Sequence, residues 1–302
     1  MSEETTGQLP DVLWHYTTFD TLTAILTSQC LLASDFRDTN DREEILFGFK
    51  ALRDAFGTHN TWNTTEGFAD PVSAAIRENE ERIIEDLESS FLHGQMICLS
   101  SARDSLSMWR GYGQLTNGGG NGAVAIGFCA ADLQTFCGPS DATLQSSTAH
   151  IQQNASGGFE GPSNVDYAFR NFPQLSNALS NEDYSADFHL KWTHYLAHWM
   201  KHRKHPAFAE EREYRIWGHA YDGNDKGNSQ HVVFVGNHDR RKFHLAPAPD
   251  DILGPLTHPL AIQKIMVGPK TDFAKVERFT RNVFQSYTHD RPDMCASKIP
   301  FK

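Results

Sequence analysis

Apolar positions along the chain fall into short strand-length runs and a few helical stripes. Residues 12–16, Val-Leu-Trp-His-Tyr, read as a strand. Thr18 then stands where it can cap a helix in which Leu22, Ile25 and Leu26 recur at helical spacing. His15 therefore lies beside a strand-to-helix junction. Residues 31–33 suggest another short strand, and the polar stretch 37–44 a loop before Ile45, Phe47, Phe49 and Leu52. Between 71 and 91, Arg77, Glu80, Glu81, Arg82 and Glu85 interleave with Ile76, Ile83, Ile84 and Leu87, the pattern of a helix with one hydrated face. Residues 96–99 and 123–128 read as strands. The glycine-rich connection between them holds Trp109, Arg110 and Tyr112, where aromatics can face a ligand instead of filling the core.

Residues 138–181 carry many Ser, Asn, Gly and Pro and keep no period, so they read as an irregular excursion. A long helix is expected over 184–202, broken at Lys204-His205-Pro206. Strands follow at 213–217, 231–235 and 262–267, and a helix at 273–284. This order predicts an α+β fold of mixed or antiparallel sheets with surrounding helices rather than a doubly wound sheet. Residues 1–10 read as a polar N-terminal extension, and 11–302 as a single elaborated α+β domain.

Composition narrows the function classes. A formal charge of −11 disfavours general attraction to nucleic acid or anionic membrane, leaving a local basic patch around 201–204. The first ten residues lack the apolar core of a signal peptide, and no apolar run is long enough to span a bilayer, so a cytoplasmic protein is expected. The five cysteines show no paired CxxC spacing and are expected to be reduced. His194, His198 and His202 share one side of the expected helix and could bind a metal, but three histidines on a straight helix do not automatically converge on a tetrahedral centre, so a structural or solvent-facing stripe is favoured and no metal is predicted. Neither a P-loop, a dinucleotide fingerprint, a zincin motif, an EF-hand loop nor a nucleophile elbow is present in full.

Three separated clusters suggest a polar pocket: Trp14-His15-Tyr16-Thr17, Trp109-Arg110-Gly111-Tyr112 and Glu211-Arg212-Glu213-Tyr214-Arg215. Strand alternation through 211–213 would put both carboxylates on one face and Arg212 on the other. A salt-bridged strand produces the same spacing. His15 equally fits a core histidine satisfying a backbone group, and Trp109 and Tyr112 fit core aromatics.

The ordered set Leu13-Trp14-His15-Tyr16-Thr17, Asn40-Asp41 with Glu44, Cys98-Leu99-Ser100, Met108-Trp109-Arg110-Gly111-Tyr112, Gly127-Phe128 and Glu211-Arg212-Glu213-Tyr214-Arg215 resembles the bacterial domain-of-unknown-function family 2971. The chain departs from that pattern at Asp41-Arg42, where Asp-Pro is usual. The arrangement is also distantly similar to ADP-ribosyltransferase folds, although a well-matched Ser-Thr-Ser element is missing. That resemblance implies NAD as a substrate, with His15, Tyr16, Thr17, Trp109, Arg110, Tyr112 and Arg215 as cofactor-binding residues. His15 would orient the nicotinamide ribose, and Trp109 or Tyr112 would pack on nicotinamide. Arg110, Arg37 or Arg215 would pair with pyrophosphate.

In the same reading Glu213, Glu211 and His15 are the catalytic set. Departure of nicotinamide leaves an oxocarbenium-like ribose whose charge a carboxylate stabilises, a role assigned to Glu213, while Glu211 orients or deprotonates an acceptor. The resemblance implies ADP-ribosyl transfer to a protein or nucleotide-containing acceptor in bacterial defence or toxicity. A non-catalytic nucleotide-sensing or protein-binding module stands as the alternative of a different class. An NAD or nucleotide hydrolase, with the carboxylates orienting water, is a further one.

Overall fold

The computed structural model describes residues 9–35, 95–112, 122–137, 159–167, 202–218, 232–235, 238–244, 262–285 and 291–300. The expected polar loop at 37–44, the amphipathic helix at 71–91 and most of the helix at 184–202 lie outside them, as do His194 and His198.

The central sheet is eight-stranded and open. It uses β1 (Val12–Thr18), β3 (Ser34–Asp35), β4 (Gln95–Ser100), β5 (Ala123–Cys129), β6 (Phe159–Asn164), β7 (Glu213–Gly218), β10 (Ile262–Val267) and β11 (Asp293–Ala296). Its order is β11-β10-β5-β1-β4-β7-β6, with β3 also paired to β4. All pairs are antiparallel except β10 with β11, which makes the sheet mixed. A second, three-stranded sheet places β9 (His238–His244) between β2 (Cys30–Leu32) and β8 (Val232–Val235). Among the described residues the helices are α1 (Phe19–Ser28), α2 (Leu106–Tyr112), α3 (Ala130–Phe136) and α4 (Phe273–Phe284), with a 3-10 turn over Pro206–Glu211. The result is a mixed α+β fold, as the element order predicted.

Local chemistry explains the element ends. The Thr18 hydroxyl accepts the Thr21 N–H at 3.2 Å and starts α1. Asp272 does the same for α4 through the Lys275 N–H at 3.1 Å. Leu22, Ile25 and Leu26 bury the inner stripe of α1, each contributing about 1.5–3 kcal/mol relative to exposure.

Two expectations need correction. The aromatics of the glycine-rich connection do not all face outward: residues 106–112 form α2, which buries Met108 and Trp109. Their apolar bulk makes a short helix worth docking despite Gly111. The region 138–181 is not wholly irregular either, because β6 pairs with β7 across a register shift between Glu160 and Ser163. A Cβ at Gly161, where φ is +115°, would lie 2.6 Å from the Arg215 carbonyl oxygen, so β6 can approach β7 this closely only with glycine there.

Candidate functional site

Antiparallel register decides which side chains share a face. On β4, Met96, Cys98 and Ser100 lie opposite Trp217, Arg215 and Glu213 of β7, while Ile97 and Leu99 lie opposite Ile216 and Tyr214. On β1, Trp14 pairs with Ser100, so Trp14 and Tyr16 join the first of these faces. Leu13, His15 and Thr17 take the other, opposite Phe128, Ile126 and Val124 of β5. The face bearing Cys98, Ser100, Glu213 and Arg215 carries the polar site.

At its centre is a buried quartet of charges. The Glu213 carboxylate receives the Arg215 Nε–H at 2.8 Å on Oε1, and on Oε2 both an Arg215 Nη2–H at 3.1 Å and Lys204 Nζ at 3.1 Å. Lys204 also donates to Glu211 Oε2 at 2.9 Å. Lys204 is 2% exposed, Arg215 3% and Glu213 4%, whereas Glu211 reaches 16% and forms the wetter end. Two positive and two negative charges make the set formally neutral, which is how such charges tolerate burial. The Lys204 ammonium also stands 4.8 Å from the centroid of the Phe208 ring.

Backbone contacts aim these side chains. Asp166 N–H donates to the His202 carbonyl at 2.8 Å, and Lys204 N–H to the Asp166 carbonyl at 3.3 Å, docking the Lys204 segment beside the end of β6. The ion pair between Arg203 and Asp166 reinforces the junction. His205 Nδ1 accepts the Ala207 N–H at 3.1 Å and caps the 3-10 turn. The Ser100 hydroxyl donates to the Glu211 carbonyl at 2.5 Å, tying the end of that turn to β4. The Tyr167 hydroxyl accepts the Glu213 N–H at 2.8 Å.

The carboxylate pairing therefore comes from a different backbone than strand alternation. Glu211 ends the 3-10 turn, Arg212 follows in the left-handed region at φ 44°, and the strand begins only at Glu213. The two carboxylates meet because Lys204 lies between them. Lys204 itself is not part of a surface basic patch; it is among the most buried large side chains described.

Burial alone would push Glu213 up, but the Arg215 guanidinium and the Lys204 ammonium reverse this and hold it at about 2. The Cys98 thiol, bonded to that carboxylate, is pushed well above its ordinary range by burial and by the negative charge of Glu213. Burial likewise raises Tyr112, which feels Cys98, Glu211 and Glu213, and raises Tyr167 beside Glu213. Near neutral pH, Glu213 is thus an acceptor, while Cys98, Tyr112 and Tyr167 keep their protons. None of these four shifts poises its group to exchange a proton at that pH.

Of the residues singled out from sequence, Tyr112, Glu211, Glu213 and Arg215 come together. Tyr16 and Trp109 share their face but are packed into an apolar cluster with Trp14, Met108, Ala123, Ala125 and Met266, and the half-buried Tyr112 packs against that cluster. The Tyr16 and Trp109 rings meet edge to face at 4.7 Å, and the Tyr16 hydroxyl donates to the Ala102 carbonyl and accepts the Ser105 N–H. Burial pushes that phenol up to about 12. Arg110 is exposed on α2. His15 and Thr17 lie on the opposite sheet face; His15 Nδ1 donates to the Cys98 carbonyl at 3.1 Å, and burial lowers its pKa more than that bond raises it. Sequence reasoning missed Lys204 and Tyr167 as partners of Glu213. The signals for Lys204 were its place in the basic stretch 201–204 and its spacing of seven and nine residues before two glutamates.

Residues 108–216 match the family described as Protein of unknown function (DUF2971). The DUF2971-family domain runs from within α2 to β7, so it contains Tyr112, Tyr167, Lys204, Glu211, Glu213 and Arg215. His15 on β1 and Cys98 on β4 precede it. No curated protein and no solved structure matches the chain. Among the described residues no group of three or more His, Cys, Asp and Glu is placed to hold a metal ion. No helix among them is long and apolar enough to cross a membrane.

Proposed function

We propose that the chain recognises a nucleotide-class ligand at the mouth of the charge quartet, without turnover by Glu213. The observation that carries this reading is that both Glu213 oxygens are already held by Arg215 and Lys204. A carboxylate neutralised by two fixed cations orients its surroundings more than it stabilises a new positive charge. The half-buried Tyr112 would stack with the part of its ring left free by the apolar cluster, Arg110 would offer an exposed guanidinium for phosphate, and Glu211 the most accessible carboxylate of the quartet for a ribose hydroxyl. Calorimetry with NAD and with ADP-ribose tests it. Binding is expected to weaken about tenfold or more in Tyr112→Ala, with no nicotinamide released. Absence of binding to either compound by the folded protein would overturn the proposal.

The convergence of Glu211 and Glu213 on one ammonium, with Tyr112 close by, favours a second reading: ADP-ribosyl transfer from NAD. There Glu213, ionised at every working pH, would support the oxocarbenium-like ribose and Glu211 the acceptor. Mass spectrometry separates the outcomes. ADP-ribose on an acceptor with free nicotinamide marks transfer; nicotinamide with free ADP-ribose marks hydrolysis. A folded Glu213→Gln protein that retained full transfer would remove this role.

A further inference from the structure

Segments far apart in sequence end on the carboxylate of Asp104, in the turn between β4 and α2. Its Oδ1 accepts the Trp109 Nε1–H at 2.8 Å and the Ser297 hydroxyl at 2.5 Å, and its Oδ2 accepts the Lys298 N–H at 2.8 Å. Ser297 is itself anchored: its hydroxyl accepts the Ile299 N–H at 3.1 Å, and its N–H donates to the Val267 carbonyl at 2.8 Å. Ser297 directly follows edge strand β11, so one carboxylate joins Trp109 in the middle of α2 to a C-terminal segment that Ser297 ties to the end of β10. The Trp109 ring completes the joint by lying over Gly268, where a Cβ would come within 2.8 Å of it.

We infer that Asp104 is a positioning residue that clamps α2 to the sheet through the C-terminal segment, so that the placement of Arg110 and Tyr112 depends on residues 297–299. A helix of two turns has no stability of its own, and α2 buries only Met108 and Trp109. Its pose must come from tertiary anchors. Bonds to an ionised acceptor are among the stronger ones available, and here they reach α2 and the C-terminal segment from the same two oxygens. Burial would raise the carboxyl of Asp104, but the Ser297, Trp109 and Lys298 bonds outweigh it and favour the charged form. Ile299 packs against the apolar cluster that contains Met108 and Trp109, so the C-terminal segment supports α2 by that contact as well as through the Asp104 carboxylate. The consequence for ligand binding rests on the nucleotide-recognition reading, whereas the clamp itself does not.

Hydrogen exchange read by mass spectrometry on the full chain, comparing wild type with Asp104→Asn and Ser297→Ala, tests the clamp. Both variants should raise exchange in residues 106–112 by about tenfold or more while 124–128 in the sheet centre keeps its protection. Ser297→Ala is the sharper test because it removes one bond to Asp104 and leaves those from Trp109 and Lys298 in place. A rise confined to 293–300, with 106–112 unchanged, would show that Ser297 serves only its own segment and would overturn the inference. Should Asp104→Asn loosen the whole sheet, the milder Ser297→Ala still decides. Calorimetry with NAD on the same proteins separates the two claims. Faster exchange at 106–112 with no NAD binding by wild type upholds the clamp and removes the nucleotide reading. Faster exchange with NAD affinity weakened about threefold or more in Ser297→Ala upholds both.

Discussion

On one face of the central sheet Leu13, Ile97, Leu99, Val124, Ile126, Phe128 and Ile216 join the buried residues of α1 and α4 in a continuous apolar cluster. On the other, the same strands β4 and β7 present Cys98, Ser100, Glu213 and Arg215 to Lys204 and Glu211. Both faces exclude water, by different means. The apolar face is held by many small, interchangeable contacts, and losing one leaves the rest in place. The other face carries its own apolar cluster around Trp109, but its β4–β7 part is held by a few charge pairs, each of which leaves an uncompensated charge if its partner goes.

This difference is sharpest under single substitution. Glu213→Gln should destabilise the protein by about 3–5 kcal/mol in urea denaturation, because Arg215 and Lys204 then stay buried without their shared carboxylate. Ile126→Val on the opposite face should lose about 0.5–1.5 kcal/mol. Equal losses would mean that the quartet is better hydrated than its burial indicates.

Acid separates the faces next. Glu213 is held at about 2 against an ordinary 4.5, so its folded form binds the proton less readily than the unfolded chain. Its contribution is therefore complete above pH 4.5 and is lost as pH falls toward 2, on the order of 3 kcal/mol. Unfolding free energies across that window should fall less steeply in Glu213→Gln than in wild type. An unchanged slope would place the acid sensitivity elsewhere.

His15 supplies a smaller test from the apolar side. Its folded pKa is lowered from 6.5, so as pH falls below 6.5 the unfolded chain takes up a proton that the folded one resists, and stability declines. A His15→Gln protein should lack this decline below pH 6.5. Smallest of all, Thr18→Ala removes the α1 cap and should lower stability by about 1 kcal/mol with no dependence on pH.

What could be read from the sequence follows the same division. The apolar face was legible: β1, β4, β5, β7 and β10 are dense apolar runs, and α1 and α4 carry both a periodic stripe and a capping residue. Elements without apolar patterning were not. β6 (Phe-Glu-Gly-Pro-Ser-Asn) and β9 (His-Asp-Arg-Arg-Lys-Phe-His) owe their form to pairing with neighbours. α2 is too short to show a period and was read only as part of a glycine-rich connection. Tyr112, Glu211, Glu213 and Arg215 were identified by residue type and spacing. Lys204 escaped because its burial depends on the docking of residues 202–204 beside Asp166, a long-range event that leaves no local trace.

The neutrality of the quartet has a kinetic consequence. The chain carries a formal charge of −11, so an approaching nucleotide anion meets a repulsive long-range field but no net charge from the quartet. Dissolved salt screens the distant field, over about 10 Å at 0.1 M, and leaves the buried pairs almost untouched. Association with NAD should therefore quicken as ionic strength rises, whereas a basic phosphate pocket would slow.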